Sequence, residues 1–304
     1  MLDYFKLIRP GNLLFIALTM YLIKYGLFAP FGVAITLNLF GFSMLVLAVV
    51  SVAASGYVIN DIFDVEADQK NKPSKTYIQS GISEKSAYRM FFVLNIIGVG
   101  LGFYVSNMVG VPGFAAFFIF GSAILYLYNS QFQQSILIGN ILVSLIVGLI
   151  PIGVGLYDLL PAITPLNQTT QSTIFSILID YSIFAFLVNL LREIIKDQED
   201  IDGDYNAGYK TLPIALGKKR TNQILFLLGL VPIGFLIYYV YEYLFGNTAA
   251  VVYALFLLLA PLLFFQVNIW TASKKSEYSR LSKLLKAVLF FGLLSIGLLQ
   301  FIIL

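Results

Sequence analysis

The sequence predicts an all-α polytopic membrane protein, nine spanning helices in one bundle, and three observations carry that expectation. The 304 residues are 59% hydrophobic and only 12% charged, with a mean hydropathy of +0.86. Soluble domains carry about 25% charged residues. Apolar segments recur along the whole chain at the length that a roughly 30 Å hydrocarbon core demands, about 20 residues each. The basic residues, finally, fall almost entirely on one side of that pattern.

In chain order the segments read 11–29, 36–59, 88–107, 111–128, 136–157, 173–195, 221–244, 248–270 and 285–304. The first is expected to span rather than to be a cleavable signal peptide, because it runs into the second without a small-residue cleavage site. The third and fourth meet at Asn107 and the seventh and eighth at Gly246, so short turns join them. With a cytosolic N-terminus, every Lys and Arg except Lys24 falls on the cytosolic side. The expected location is therefore the cell (inner) membrane, multi-pass, N-terminus inside and C-terminus outside. Lys24, near the outer end of the first segment, is expected to snorkel to the interface.

The chain has no cysteine and no histidine. That removes disulfides, thiolate nucleophiles, His or Cys metal sites and a Ser/His/Asp triad. Carboxylates, Lys, Arg, Tyr and amides remain. A net charge of +3 argues against nucleic acid as a partner and is accounted for by topology.

The acidic residues are as lopsided as the basic ones. NDIFDVEAD at 60–68 and KDQEDIDGD at 196–204 share the pattern D-x-x-D-x-x-x-D: Asp61, Asp64 and Asp68 against Asp197, Asp200 and Asp204. Each ladder lies at the cytosolic end of an even-numbered segment and leads into a basic, Pro-containing stretch, NKPSK at 71–75 and GYKTLP at 208–213. Spacings of three and four residues place the carboxylates on one helical face. A helix C-terminus disfavours negative charge unless a cation offsets it. An oxygen-only ligand set selects hard cations, Mg²⁺ above all when phosphate supplies further ligands. The two ladders are accordingly expected to hold Mg²⁺, and the Mg²⁺ a diphosphate between them.

On these motifs the chain resembles the UbiA superfamily of intramembrane prenyltransferases across nearly its whole length. LIRPGNLLFIALT at 7–19, LIGNILVSLIVGLIPIGVG at 137–155 and REIIKDQEDIDGDYNAGYKTLPIALGKK at 192–219 are most similar to the branch that makes archaeal-type ether lipids, the geranylgeranyltransferases acting on geranylgeranylglyceryl phosphate. One departure is visible: relatives place a Lys shortly after the Tyr that closes the fourth span, whereas Tyr128 is followed by NSQFQQ, in which Gln133 and Gln134 offer only neutral hydrogen bonds.

The resemblance implies a UbiA-like bundle around a central cavity, a single domain over 1–304, and cytosolic cap loops at about 61–87 and 197–220. It implies Mg²⁺-dependent transfer of a prenyl group, geranylgeranyl by the branch, from an allylic diphosphate to a lipophilic acceptor drawn from the membrane. The hydroxyl of geranylgeranylglyceryl phosphate is the expected acceptor, with an aromatic ring of quinone biosynthesis as the alternative. Asp61, Asp64, Asp68, Asp197, Asp200 and Asp204 would hold the metal. Asn60, Lys72, Lys210 and Arg192 would contact the diphosphate, Tyr128 would line the site, and Arg9 with Asn12 would receive the acceptor's anionic head. Lys75 and Lys218 read as topology alone. Glu193, one turn before the second ladder, would support it, and Asp180, a carboxylate inside the sixth segment, is functional or interfacial. A transporter would gather its ionisable residues at the membrane midplane instead, and a prenyl-diphosphate hydrolase would use the same metals without an acceptor.

Overall fold

The computed structural model describes residues 2–65, 68–69, 77–78 and 81–303. Nine helices among the described residues are long and apolar enough to cross a membrane: Pro10–Phe28, Leu39–Phe63, Glu84–Met108, Pro112–Phe132, Ile138–Ala162, Gln168–Asn206, Lys218–Leu244, Thr248–Ile269 and Lys275–Phe301. They are called here the first to ninth spans. Two short helices, Leu2–Leu7 and Leu212–Leu216, lie outside them.

Local chemistry sets most of the boundaries. Asn38, Ser83 and Asn247 stand before the second, third and eighth spans, and each accepts a hydrogen bond from the backbone N–H three residues on, which satisfies one of the helix's orphan donors. Gly217, at φ 82°, turns the chain into the seventh span. The largest departure from the sequence expectation is the sixth span. Its helix runs 39 residues, Gln168–Asn206, so the second aspartate ladder is helical, as its spacing implies, and the chain leaves the helix only after Asn206 rather than at about 197. Hydropathy ends a span where charge begins, whereas a helix continues as long as its backbone bonds and one buried face persist.

Packing between spans depends on close backbone approach. A Cβ added to Gly98 would sit 2.7 Å from Val52 Cγ2 and 3.0 Å from the Ala48 carbonyl oxygen, and one on Gly148 would sit 2.9 Å from the Ser182 oxygen. The second and third spans, and the fifth and sixth, can approach this closely only through a small residue. Two large apolar clusters result. One joins the first to sixth and the ninth spans around Met20, Phe42, Phe118, Tyr157, Leu178 and Ile296, and the other joins the sixth to ninth around Val188, Leu225, Phe265 and Tyr278. A smaller cluster of Leu7, Ile59, Ile78, Ile82 and Phe91 pins the short N-terminal helix and the chain before the third span to one end of the bundle.

At the opposite end the structure corrects the reading of Lys24. Its side chain does not snorkel; it is buried, with Nζ 2.6 Å from Asp158 Oδ2 and 2.7 Å from the Leu37 carbonyl oxygen, and it stands 4.5 Å from the Phe42 ring centroid. Asp158 Oδ1 accepts from the backbone N–H of Thr36 at 3.1 Å and of Leu37 at 2.7 Å. The chain between the first two spans folds back over this end and brings acceptors to the ammonium, so the lysine finds its partner inside. Asp180 lines an apolar cleft between the sixth, seventh, eighth and ninth spans, beside Tyr181, Tyr239, Tyr253 and Ser295.

Removing one partner of a buried ion pair leaves an uncompensated charge, a loss of about 3–5 kcal/mol. Lys24→Met is therefore expected to lower the unfolding temperature in detergent sharply. The double variant Lys24→Met/Asp158→Asn, which keeps an acceptor for the two backbone N–H groups, should recover much of the loss; equal unfolding temperatures for wild type and Lys24→Met would rule the pair out as a stabilising element.

Candidate active site

Alternating spans bring the ends of the second, fourth and sixth to the same end of the bundle as the starts of the first, fifth and ninth. Asp64 marks where they meet. The second span stops at Phe63, and Asp64 follows it at φ −90°, ψ 5°, with its N–H still bonded to the Asn60 carbonyl oxygen. Its carboxylate accepts from Gln133 Nε2 at 2.7 Å to both oxygens, from Asn60 Nδ2 at 2.8 Å and from the Tyr209 hydroxyl at 3.0 Å. These donors come from the second span, the fourth span's end and the turn after the sixth. The Lys210 N–H bonds the Gln134 carbonyl oxygen at 2.9 Å, fixing that turn against the fourth span.

All these donors to Asp64 are neutral. Burial pushes its pKa up to about 6, and Asp68 adds to the rise, against the hydrogen bonds from Gln133 and Tyr209 and the more distant charge of Arg9. The Tyr209 hydroxyl is raised well above its ordinary range by burial and by the Asp64 charge, so it remains a donor.

Asp61, one turn back, faces elsewhere. Its Oδ1 lies 2.5 Å from Arg9 Nη2, which also donates to Asn60 Oδ1 at 2.8 Å. Arg9 sits between the N-terminal helix and the first span at φ 52°, the one non-glycine residue with positive φ among those described. That conformation costs an L-residue roughly 1–2 kcal/mol. The Arg9–Asp61 pair and the stacking of Arg9 on Tyr57, 5.1 Å from the ring centroid, hold it there.

The second ladder lies along the last turns of the sixth span. Asp197 Oδ2 accepts from Asn140 Nδ2 of the fifth span at 2.8 Å. Asp200 Oδ1 is 4.0 Å from Lys275 Nζ, and Asp204 is buried. Glu193, expected to support this ladder, binds Arg192 and Lys196 at 3.0 Å and 2.9 Å. Tyr128 stands between the ladders, within electrostatic reach of Asp64, Asp197, Glu193 and Arg9.

Thus Asn60, Asp61, Asp64 and Arg9 lie together, Arg9 on Asp61 rather than free for an acceptor head, and Tyr128 is within electrostatic reach of both Asp64 and Asp197. Asn12 instead accepts from Lys286 Nζ at 3.1 Å and bonds Tyr57. Lys210 is exposed. Lys72 and Lys75 lie outside the described residues. Gln133 takes the Asp64 carboxylate as its partner. Residues that sequence reasoning passed over are Asn129, which accepts from Asn60 at 3.0 Å, Asn140, Tyr57, Tyr209 and Lys286. The one available signal was an amide inside an apolar run, as at Asn129 and Asn140.

Among the described residues no three carboxylates converge closely enough to hold a metal by themselves. The donor set nevertheless fits a hard divalent cation. It is all oxygen, and Asp64 and Asp197 are held by amides and a hydroxyl, which yield to a cation more readily than a paired ammonium does.

For Asp64, a folded-state pKa of about 6 against an ordinary 3.8 means that the folded chain keeps the proton longer. Its contribution to stability is lost as pH rises from about 3.8 to about 6, and a cation bound to the ionised form restores it. Mg²⁺ at fixed concentration is expected to raise Tm little at about pH 5 and clearly at about pH 7.5; equal shifts at both would exclude a proton-competed site.

The profile of the UbiA prenyltransferase family matches residues 13–294. The chain is 29% identical to the digeranylgeranylglyceryl phosphate synthase of Methanococcoides burtonii, with 97% of this chain and 98% of that protein covered. It is 30% identical to the same synthase of Methanobrevibacter smithii, covering 94% and 96%. Among solved structures it is similar to a digeranylgeranylglyceryl phosphate synthase, with a TM-score of 0.66, 23% identity and coverage of 97% and 96%. A UbiA homologue from Archaeoglobus fulgidus bound to DMAPP and Mg²⁺ gives a TM-score of 0.61 at 16% identity, covering 97% and 98%. These two structures share the fold, and the family match spans nearly all of the sequence: the chain belongs to the UbiA prenyltransferase family.

Proposed function

We propose that the chain transfers a geranylgeranyl group from its diphosphate to the free hydroxyl of geranylgeranylglyceryl phosphate, forming the second ether bond of an isoprenoid ether lipid. The observation that supports this reading is that Asp64 of the first ladder and Asp197 of the second are both within electrostatic reach of Tyr128, at one end of the nine spans found among the described residues. The nearly full-length likeness to digeranylgeranylglyceryl phosphate synthases supports the acceptor.

Asp61, Asp64 and Asp68 on one side, and Asp197, Asp200 and Asp204 on the other, would hold Mg²⁺, which supplies Lewis-acid neutralisation of a diphosphate leaving group when bound. The residues around them prepare that arrangement. Gln133, Asn60 and Tyr209 orient the Asp64 carboxylate and keep it where a cation is most favourable. Asn140 does the same for Asp197. Lys210 and Lys72 are the candidates for direct contact with the diphosphate, as charge-assisted donors beside the ladders. The C1–O bond of the donor breaks, a bond forms between C1 and the acceptor oxygen, and the hydroxyl proton leaves with the diphosphate or to water. Tyr128 and Tyr57 offer π faces to the developing allylic cation, and the surrounding apolar spans keep water from it.

The topology follows the same reading. The ladders face the cytosol, where soluble diphosphates are made, so the N-terminus is cytosolic. On this reading the chain is one domain over 1–304.

The test is a radiolabel transfer assay with geranylgeranyl diphosphate, Mg²⁺ and either geranylgeranylglyceryl phosphate or 4-hydroxybenzoate, with EDTA as the blank. Label is expected in a phosphate-bearing diether; label on the aromatic, or free geranylgeraniol alone, would replace the reading. Asp64→Asn and Asp197→Asn should each cut turnover by about 100-fold or more, the scale on which a single charge-stabilising group acts. Wild-type rates in a folded Asp197→Asn protein would remove the second ladder from the site.

A further inference from the structure

Beside the aspartates lies a group of cations that the metal site does not use. Arg192 and Lys196 share the single carboxylate of Glu193, and the buried Arg192 Nε has no hydrogen-bond partner. Lys286, exposed on the ninth span, donates to the neutral Asn12 and is within electrostatic reach of Arg192. Arg9 is matched by Asp61. Lys196 is also within electrostatic reach of Asp197, so the cations least matched by carboxylates are Arg192, whose Nε has no partner, and Lys286, whose partner is a neutral amide. A phosphomonoester, about −1.5 to −2 in charge at neutral pH, complements that pair.

The surroundings of Lys286 carry a second feature. The Asn12–Lys286 contact bridges the first and ninth spans, and roughly one turn deeper on both helices Phe15 meets Phe290, ring centroids 6.2 Å apart. The seam is therefore polar and cationic at its mouth and aromatic about 5–6 Å further in. A ligand with an anionic head and an apolar chain matches that order. The hydrogen bonds to Asp64 and Asp197 come from Gln133, Tyr209 and Asn140, whereas Arg192 is within electrostatic reach of Lys286 and Tyr57.

Resting on the ether-lipid reading above, we infer that Lys286 and Arg192 bind the phosphate of the acceptor lipid at the seam of the first and ninth spans, and so select phosphate-bearing acceptors. Arg192, expected from the sequence on the donor diphosphate, belongs to the acceptor instead. Asn12 and Tyr57 position the two cations, and the Phe15–Phe290 pair takes the first part of the acceptor's chain.

The experiment measures initial rates against each substrate in turn, with the full chain in detergent. Lys286→Gln is expected to raise the KM for geranylgeranylglyceryl phosphate about tenfold, the scale of a lost hydrogen bond to a charged group, and to leave the KM for geranylgeranyl diphosphate within about twofold. Lys286→Arg should restore most of the affinity. Inorganic phosphate, which has the charge but no chain, should inhibit wild type competitively with acceptor and Lys286→Gln much less. A rise in donor KM instead, or inhibition by phosphate competitive only with donor, overturns the inference. Should Lys286→Gln not fold, wild type decides alone: replacing the acceptor by geranylgeranylglycerol, which lacks the phosphate, is expected to raise its KM at least tenfold, and an unchanged KM overturns the inference. If wild type forms no diether at all, the function reading fails; if it forms diether and only the KM pattern differs, this inference alone fails.

Discussion

The arrangement depends on a carboxylate, Asp64, held at a buried helix end by neutral donors. A charge in that position is costly, because it sits at the negative end of the helix dipole and away from water. Two amides and a phenol offset part of that cost, and each reaches in from a separate element. The fourth span's end and the turn after the sixth must therefore both be in place for Asp64 to be satisfied. The same constraint explains the Lys210 N–H to Gln134 bond, which holds two of the contributors together. A carboxylate held in this way is fixed in position while its charge is met only by neutral groups.

Arg9 shows the complementary solution. Its guanidinium answers Asp61 directly, at the expense of a left-handed backbone just before Pro10. One ladder thus contains an aspartate already paired and an aspartate that is not, three residues apart on one helix. Asp61 ties the chain between the short N-terminal helix and the first span to the second span, while the charge of Asp64 is met by neutral donors alone. The opposite end of the molecule uses a closed version of the same chemistry, in which Lys24, Asp158 and the backbone of Thr36 and Leu37 satisfy one another completely. The contrast between the two ends separates charge that stabilises from charge that works.

The cations at the seam of the first and ninth spans are a third case. Arg192 and Lys196 share Glu193, whereas Lys286 donates to the neutral Asn12 and is within electrostatic reach of Arg192. A cluster of carboxylates and a group of cations thus occur at the same end of the bundle.

By itself the sequence determined the class, the number and order of the spans, the end of the bundle at which both ladders lie, and the oxygen-only chemistry they offer. These follow from hydropathy, spacing and residue type, which are local properties of the chain. Only the tertiary structure decided which aspartate Arg9 takes, that Gln133 and Tyr209 hold Asp64, that the second ladder is helical to Asn206, and that Lys24 is buried against Asp158. Each of these is a contact between segments far apart in the chain. It depends on how each helix is rotated about its axis and on how closely Gly98 and Gly148 let neighbours approach, and neither quantity is encoded within any single window of residues.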